Sequence, residues 1–363
     1  MNMQALGIRR ETPLYVYAIL PARSNGNDNF CPETVGDGLG AIASGPFAAV
    51  VGDGPGTESL IQGREELARL LLEHQRTLEQ IMRSVPLLPV KFGTFAPDER
   101  SVRAILDRGA AVFETAFGRL EGCVQVEVFV KWDVQTVFAE IAKEEAIAAL
   151  KEKLGLGVCA TGQASRANLG RLVMESLERR RSVLAASLSA SLQAVAVDAI
   201  AYQVTADQAV LHLVLLMKSG QMEALDTCLE ALDEAHGGRL TFRCVGPLAP
   251  YNFGTVEIEF VDAPVLRQAL RLLEIGSTAN AAEVRAAYHH RAKSVHPDTA
   301  NASVKGCADM VALKEAYRIA SLHAENRRQA DTEAVLSESD PNFSDRSVFV
   351  SVRRQDQVFD AAV

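Results

Sequence analysis

Runs of apolar residues break this chain into strand-length and helix-length pieces from its first fifteen residues onward. Leu14-Tyr15-Val16-Tyr17-Ala18-Ile19-Leu20 is a near-continuous apolar stretch, which reads as a buried first strand ended by Pro21. Residues 23–40 are rich in Gly, Asn, Asp and Ser and read as a loop. A second strand, about Phe47 to Val51, stops at Gly52-Asp53-Gly54-Pro55-Gly56. Between 64 and 83, helical spacing links Leu67, Leu70, Leu71, Leu78, Ile81 and Met82. Pro86 and Pro89 hold Val85–Thr94 as a short extended piece. Pro97 is placed at a first helical position, with Asp98 and Glu99 favourable to the helix dipole. That helix buries Val102, Ile105 and Leu106, a further helix ends near Leu120, and Val124–Val130 alternates like a half-buried strand before Trp132.

From about Val134 to Val195 the period is helical. Leu169, Val173, Leu177, Leu184, Leu188 and Leu192 form one apolar line, the pattern of long helices packed as a hairpin. Two strands follow, roughly 198–205 and 208–217, joined as a hairpin through Thr205-Ala206-Asp207-Gln208. A helix near 221–235 and a strand near 239–245 complete a second unit. The fold class is α+β, divided into residues 1–132, 133–262, a helical module at 263–330 and a flexible tail at 331–363. Within that acidic, Ser-rich tail, Val348–Val352 has the pattern of a short strand able to add to a partner's sheet.

Composition narrows the function classes. Apolar residues make up 48% and charged residues 23% of the 363, an ordinary globular balance. The longest apolar stretch, Ala209–Met217, is far short of a bilayer span, and no signal peptide is visible, so the expected location is the cytoplasm. A net charge of −9 argues against nucleic acid as a partner. The six cysteines, at 31, 123, 159, 228, 244 and 307, form no Cys-x-x-Cys pair, so reduced core thiols are expected in place of a zinc site or disulfides. The glycine cluster at 52–56 contains a proline and lacks the Lys-Ser/Thr ending of a phosphate loop. No cofactor, metal or catalytic constellation is expected, and the chain is not read as an enzyme.

Residues 267–328 differ in charge from the rest, with ten Lys/Arg against six Asp/Glu. Asn280 and Glu283 have capping-box spacing. Val284, Ala287, Tyr288, Ala292 and Val295 then share one helical face, with Arg285, His289 and Lys293 on another. His296-Pro297-Asp298 breaks the helix, since proline disfavours helical geometry at the residue before it. A following helix turns Met310, Leu313, Ala316, Tyr317 and Ala320 inward. Helix, His-Pro-Asp turn, and helix with Glu315-Ala316-Tyr317 resembles the J domain of DnaJ-like proteins. The resemblance implies docking of a DnaK-type chaperone and stimulation of its ATP hydrolysis, through His296, Pro297, Asp298, Arg285 and Lys293. The chain departs from that pattern in several places. Ala269 and Leu270 replace an aromatic pair, Glu274 a glycine, Arg291 the usual leucine, and Val295 an aromatic.

The larger part, roughly residues 13–261, carries a second resemblance. Leu14-Tyr15-Val16-Tyr17, Leu88-Pro89-Val90-Lys91-Phe92-Gly93-Thr94 and Gly246-Pro247-Leu248-Ala249-Pro250-Tyr251-Asn252-Phe253 are similar to the gas vesicle protein F/L family, which normally has Trp-Pro at Leu248-Ala249. That family implies a ferredoxin-like N-terminal domain, a second α/β domain with helical hairpins, and a role in gas vesicle assembly or nucleation. The implied partners are the small apolar shell protein and other gas vesicle accessory proteins. The alternative is a general J-domain co-chaperone with an α+β client-binding body.

Several conspicuous residues have simpler readings. Pro86, Pro89 and Gly93 shape a turn between helix and strand. Tyr251 and Phe253 anchor a core, and Trp132 lies in a core or domain interface. His212 is a satisfied strand histidine, and Arg179-Arg180-Arg181 is a solvated helix face, with docking of an acidic partner as the other reading.

Overall fold

The computed structural model describes residues 13–22, 38–53, 63–155, 162–295, 304–330 and 346–355. The chain forms two compact units, one of residues up to Arg119 with Thr255–Arg353, the other of Leu120–Gly254 with the residues from Arg354.

The first unit is built on an antiparallel sheet of β1 (Leu14–Pro21), β2 (Leu39–Ser44), β3 (Phe47–Gly52), β4 (Leu88–Pro89) and β5 (Phe95–Ala96). The strand order is β2-β3-β1-β4, with β5 paired to β1. The interior position of β1 explains its unbroken apolar sequence, since a strand with neighbours on both sides and helices packed on it has no solvent face. Residues 39–44, of which 39 and 40 are expected in a loop and the rest in no assigned element, form a strand because Gly45-Pro46 closes a tight hairpin that pairs Ser44 with Phe47. Helix α1 (Arg64–Met82) packs on β1, and α2 (Glu99–Leu120) packs on the sheet where Phe47 meets Phe113 and Phe117. On α1 the buried set is Leu70, His74, Leu78 and Ile81, whereas Leu67 and Leu71 are exposed. The buried stripe is therefore rotated from the one expected. Instead of two helices there is one, α2, and Pro97 precedes it. Asp98 is the residue that caps it, accepting from the Ser101 backbone N–H at 2.7 Å and from its hydroxyl at 2.8 Å.

The second unit holds β6 (Cys123–Trp132), α3 (Val134–Ile141), α4 (Glu145–Gly155), α5 (Gly162–Ala194), β7 (Asp198–Tyr202), β8 (Ala209–Lys218), α6 (Met222–Ala235), β9 (Leu240–Leu248) and the short α7 (Tyr251–Gly254). Its sheet runs β7-β8-β6-β9 and every pairing is antiparallel. The expected β7–β8 hairpin is present. β6 is an inner strand of this sheet, so the domain boundary lies before it and not at 132. The second expected boundary also moves, because β10 (Thr255–Asp262) belongs to the first unit. Along α5, Leu177, Leu188 and Leu192 are buried, which confirms half of the apolar line.

The first unit ends with α8 (Ala263–Leu273), α9 (Ala281–Val295), α10 (Val304–Ala330) and β11 (Arg346–Arg353). β11 pairs antiparallel with β10 over eight residues. The tail expected to be flexible from 331 onward thus contains a strand, paired with this chain's own β10. The rest of that tail, 331–345 and 356–363, lies outside the described residues.

Candidate functional site

The three C-terminal helices pack around Leu270, Leu273, Val284, Leu313, Ala316, Ile319 and Ala320, all buried. Asn280 and Glu283 form the expected capping box. The Asn280 side-chain oxygen accepts from the backbone N–H of Ala282 (2.9 Å) and Glu283 (3.0 Å), and Glu283 accepts from the Asn280 N–H at 2.9 Å. α9 and α10 run antiparallel. Ser277, before α9, accepts at its carbonyl from Arg327 on α10 and lies 2.9 Å from the His323 ring. Further along α9, Tyr288 meets Tyr317 with ring centroids 4.6 Å apart. The inward face expected for α9 is confirmed at Val284, Ala287, Tyr288 and Ala292. Arg285, His289 and Lys293 are exposed at four-residue intervals on the other side. His296, Pro297 and Asp298 lie outside the described residues.

Two departures from the J pattern turn out to be partners. Glu274 ends α8 in the left-handed conformation, φ 59°, where glycine costs least. Its carboxylate accepts from Arg291 on α9 at 2.9 Å. Ala269 and Leu270, in place of aromatics, are both in the helical core.

In the first unit, two of the family-like motifs meet at a histidine. The Gly93 N–H donates to the Tyr15 hydroxyl at 3.1 Å, and that hydroxyl lies 2.9 Å from His74 Nδ1. His74 also hydrogen-bonds the Val90 backbone. Only a carbonyl is available there as acceptor for a ring N–H, so Nε2 carries the proton and Nδ1 accepts from Tyr15. The imidazole stacks on Tyr17 at 5.6 Å and lies edge-on to Phe92. Burial holds the His74 pKa down at about 4 and pushes the Tyr15 phenol up to about 12, so both are neutral at pH 7. Gly93 takes φ 83°, a turn that side chains resist. Gly93 does shape a turn, but between β4 and β5 and not between helix and strand as expected, and the loop is fastened to β1 and α1. His74 was not singled out from sequence, yet it sits four residues from both Leu70 and Leu78, on the face those leucines share.

The third motif is braced in the second unit. Gln125, fully buried, donates to the Asn252 side chain at 2.7 Å and accepts from the Asn252 N–H at 3.0 Å. Asn252 also donates to the Tyr202 hydroxyl, and Tyr251 donates to Glu127. His212 Nε2 lies 3.4 Å from Glu127, and its ring stacks between Phe129 and Tyr202. His212 first, then Tyr251 and Gln125, hold the Glu127 carboxyl below its usual range against the effect of burial. A Cβ on Gly246 would come within 2.8 Å of the Gln125 carbonyl, so only glycine fits. Phe253 is buried, as expected of a core anchor.

The arginine run is neither fully solvated nor free. Arg180 binds Glu140 at 2.7 Å and Glu144 at 3.0 Å, and Arg179 reaches Glu144. Arg181 is buried, reaching Glu178 and the Ala206 carbonyl. Arg180 and Trp132 line a cleft of about 780 Å³ with Lys131, Thr136, Gln208 and Arg239. Trp132 also donates to the Asp207 carbonyl at 2.7 Å. Among the described residues no group of three His, Cys, Asp or Glu side chains is placed to hold a metal ion. No helix among them is long and apolar enough to cross a membrane.

A family model described as gas vesicle synthesis protein GvpL/GvpF matches residues 13–255. The chain belongs to this family. Gas vesicle protein F of Streptomyces sp. (strain CB03234) is 26% identical over 247 residues, 66% of this chain and 98% of that protein. The crystal structure of GvpF from Anabaena sp. PCC7120 shares the fold at a TM-score of 0.56 and 21% identity, covering 66% of this chain and 97% of that one. The GvpF structure from Microcystis aeruginosa gives 0.50 at 20% identity, covering 66% and 98%. All three motifs quoted for the GvpL/GvpF resemblance fall inside the matched span. The helical module and β11 lie beyond it.

Proposed function

We propose that this GvpL/GvpF family member is a gas vesicle assembly factor that binds the small apolar shell protein, and that its C-terminal helices recruit a DnaK-type chaperone to it. The observation that carries the reading is the joining of a family-matched body to an added helical module whose α9 exposes Arg285, His289 and Lys293. A shell subunit with apolar β-structure is an aggregation hazard before assembly, and holding it needs surfaces without a reaction centre. A cationic helix followed in sequence by His296-Pro297-Asp298 suits an acidic chaperone surface. Other gas vesicle accessory proteins are further partners, and the site of action is the cytoplasm beside growing vesicles. The strand order second-third-first-fourth recurs in both sheets. It supports a ferredoxin-like assignment for the first domain and, through the β-α-β-β-α-β element order, for the second.

Co-purification with the shell protein and a DnaK-type chaperone, followed by crosslink mapping, tests this. Shell crosslinks should fall within 13–261 and chaperone crosslinks near 285–298. Recovery of unrelated clients from cells lacking gas vesicle genes would favour the general co-chaperone instead.

A further inference from the structure

We infer that the outer edge of β10 is a strand-accepting site, filled in this chain by its own β11. The ligand it takes is an extended apolar segment of alternating Val and Phe character with a basic residue at each end. On its inner side β10 meets the body through the Val90–Val256 bridge and the Lys91 N–H, which donates to the Val256 carbonyl at 2.9 Å. On its outer side it forms an unbroken ladder from Thr255↔Arg353 to Asp262↔Arg346. β11 therefore supplies most of the backbone partners of β10, from a segment more than eighty residues away in sequence.

The side chains of β11 describe what the site accepts. Successive strand residues point to opposite faces, and here both faces are buried at Val348, Phe349 and Val350. Phe349 enters the core of the helical module. Val350 approaches α2, where a Cβ on Gly109 would come within 3.0 Å of it. The ends are marked by charge. Arg346 pairs with Asp262 at 2.7 Å and Arg353 with Glu257 at 2.8 Å. All four side chains are 30–55% exposed, so these pairs add little stability, but they set direction and register.

The regulatory consequence rests on the reading that the body handles an apolar, strand-rich partner. A partner strand of the same pattern would add to β10 by backbone pairing and would have to displace β11. A tethered strand competes at an effective concentration on the order of millimolar. β11 thus keeps the edge closed against unspecific pairing and yields only to a well-matched segment.

The test uses the full chain and a fluorescent peptide carrying the sequence of residues 346–353. Arg346→Glu with Arg353→Glu sets like charges against Asp262 and Glu257 and so weakens the tethered strand without touching its buried residues. The peptide should bind this variant saturably, at least tenfold tighter than the unsubstituted chain, while a scrambled peptide does not bind. Equal binding of the scrambled peptide, or none by either, overturns the proposal. Hydrogen exchange on the unsubstituted chain gives an independent reading. The β10 and β11 amides should open together and sooner than those of β1 and β3, and equal protection overturns it. A shell-protein segment that fails to compete with a bound peptide leaves the site standing and removes the shell protein as its partner. Concentration-dependent dimers dissolved by the peptide would mean that a second copy supplies the strand, which overturns the partner assignment.

Discussion

Acidification should weaken the first unit through His74 by a calculable amount. The side chain is only 7% exposed, and burial lowers its pKa from 6.5 to about 4. In the unfolded chain the imidazole takes a proton near its ordinary value. Between about pH 6.5 and pH 4 the unfolded state therefore binds more protons than the folded one, and stability falls as pH falls. The contribution is complete above about 6.5 and gone below about 4. Working the two titrations through gives a loss of about 2 kcal/mol between roughly pH 7.5 and pH 5. The comparison is with His74→Leu, which leaves the Tyr15 hydroxyl and the Val90 carbonyl unpartnered at every pH and adds only a constant cost. Urea unfolding of both proteins, read by hydrogen exchange on first-unit peptides, isolates the effect from the other unit. The stability difference between them should shrink by about 2 kcal/mol over that range. A difference that stays constant across the range would refute the placement of a neutral, buried imidazole between Tyr15 and Val90.

Other substitutions test other parts of the structure. A Cβ on Gly109 would meet the Phe113 ring at 2.4 Å and Val350 at 3.0 Å, so Gly109→Ala should destabilise the first unit by about 1–3 kcal/mol in urea, despite alanine's higher helix propensity. Glu274→Gly relieves a left-handed backbone costing about 1–2 kcal/mol and loses an exposed ion pair worth at most about 1 kcal/mol. The helical module should therefore melt at an equal or higher temperature, and a clear drop would contradict the account of its C-cap. Asn252→Leu removes the side-chain acceptor of the buried Gln125 amide and the donor to Tyr202, while the residue-252 N–H and Glu127 still meet Gln125. It should cost about 1–3 kcal/mol, read as a lower urea midpoint for second-unit peptides.

Much of this architecture is legible in the sequence because the relevant forces are local. The capping box of Asn280 and Glu283, the inward faces of α9 and α10, the β7–β8 hairpin and the buried β1 all follow from period and cap chemistry. Most of the misplaced features depend on distant segments. β2 is the exception, since β3 follows it directly, but with Leu39 and Ile42 as its only large apolar residues among Gly, Ala and Ser it carries no clear strand pattern of its own. β11 was legible as a sticky strand, but its partner β10 lies across three helices, beyond the reach of spacing arguments. His74 and Gln125 are polar residues on apolar faces, and their burial makes sense only once Tyr15, Val90 and Asn252 arrive to satisfy them. The Glu274–Arg291 pair shows the same thing in the helical module, where two departures from a family pattern compensate each other across helices.

The central claim is that one chain couples a gas vesicle assembly body to a chaperone-recruiting module, and single-turnover ATP hydrolysis by a DnaK-type chaperone tests it most directly. With shell protein present, the full chain should accelerate hydrolysis, and Asp298→Asn should abolish the acceleration while leaving shell binding and the fold of α8–α10 unchanged. No acceleration by the full chain, or the same acceleration by the Asp298→Asn chain, would contradict the claim.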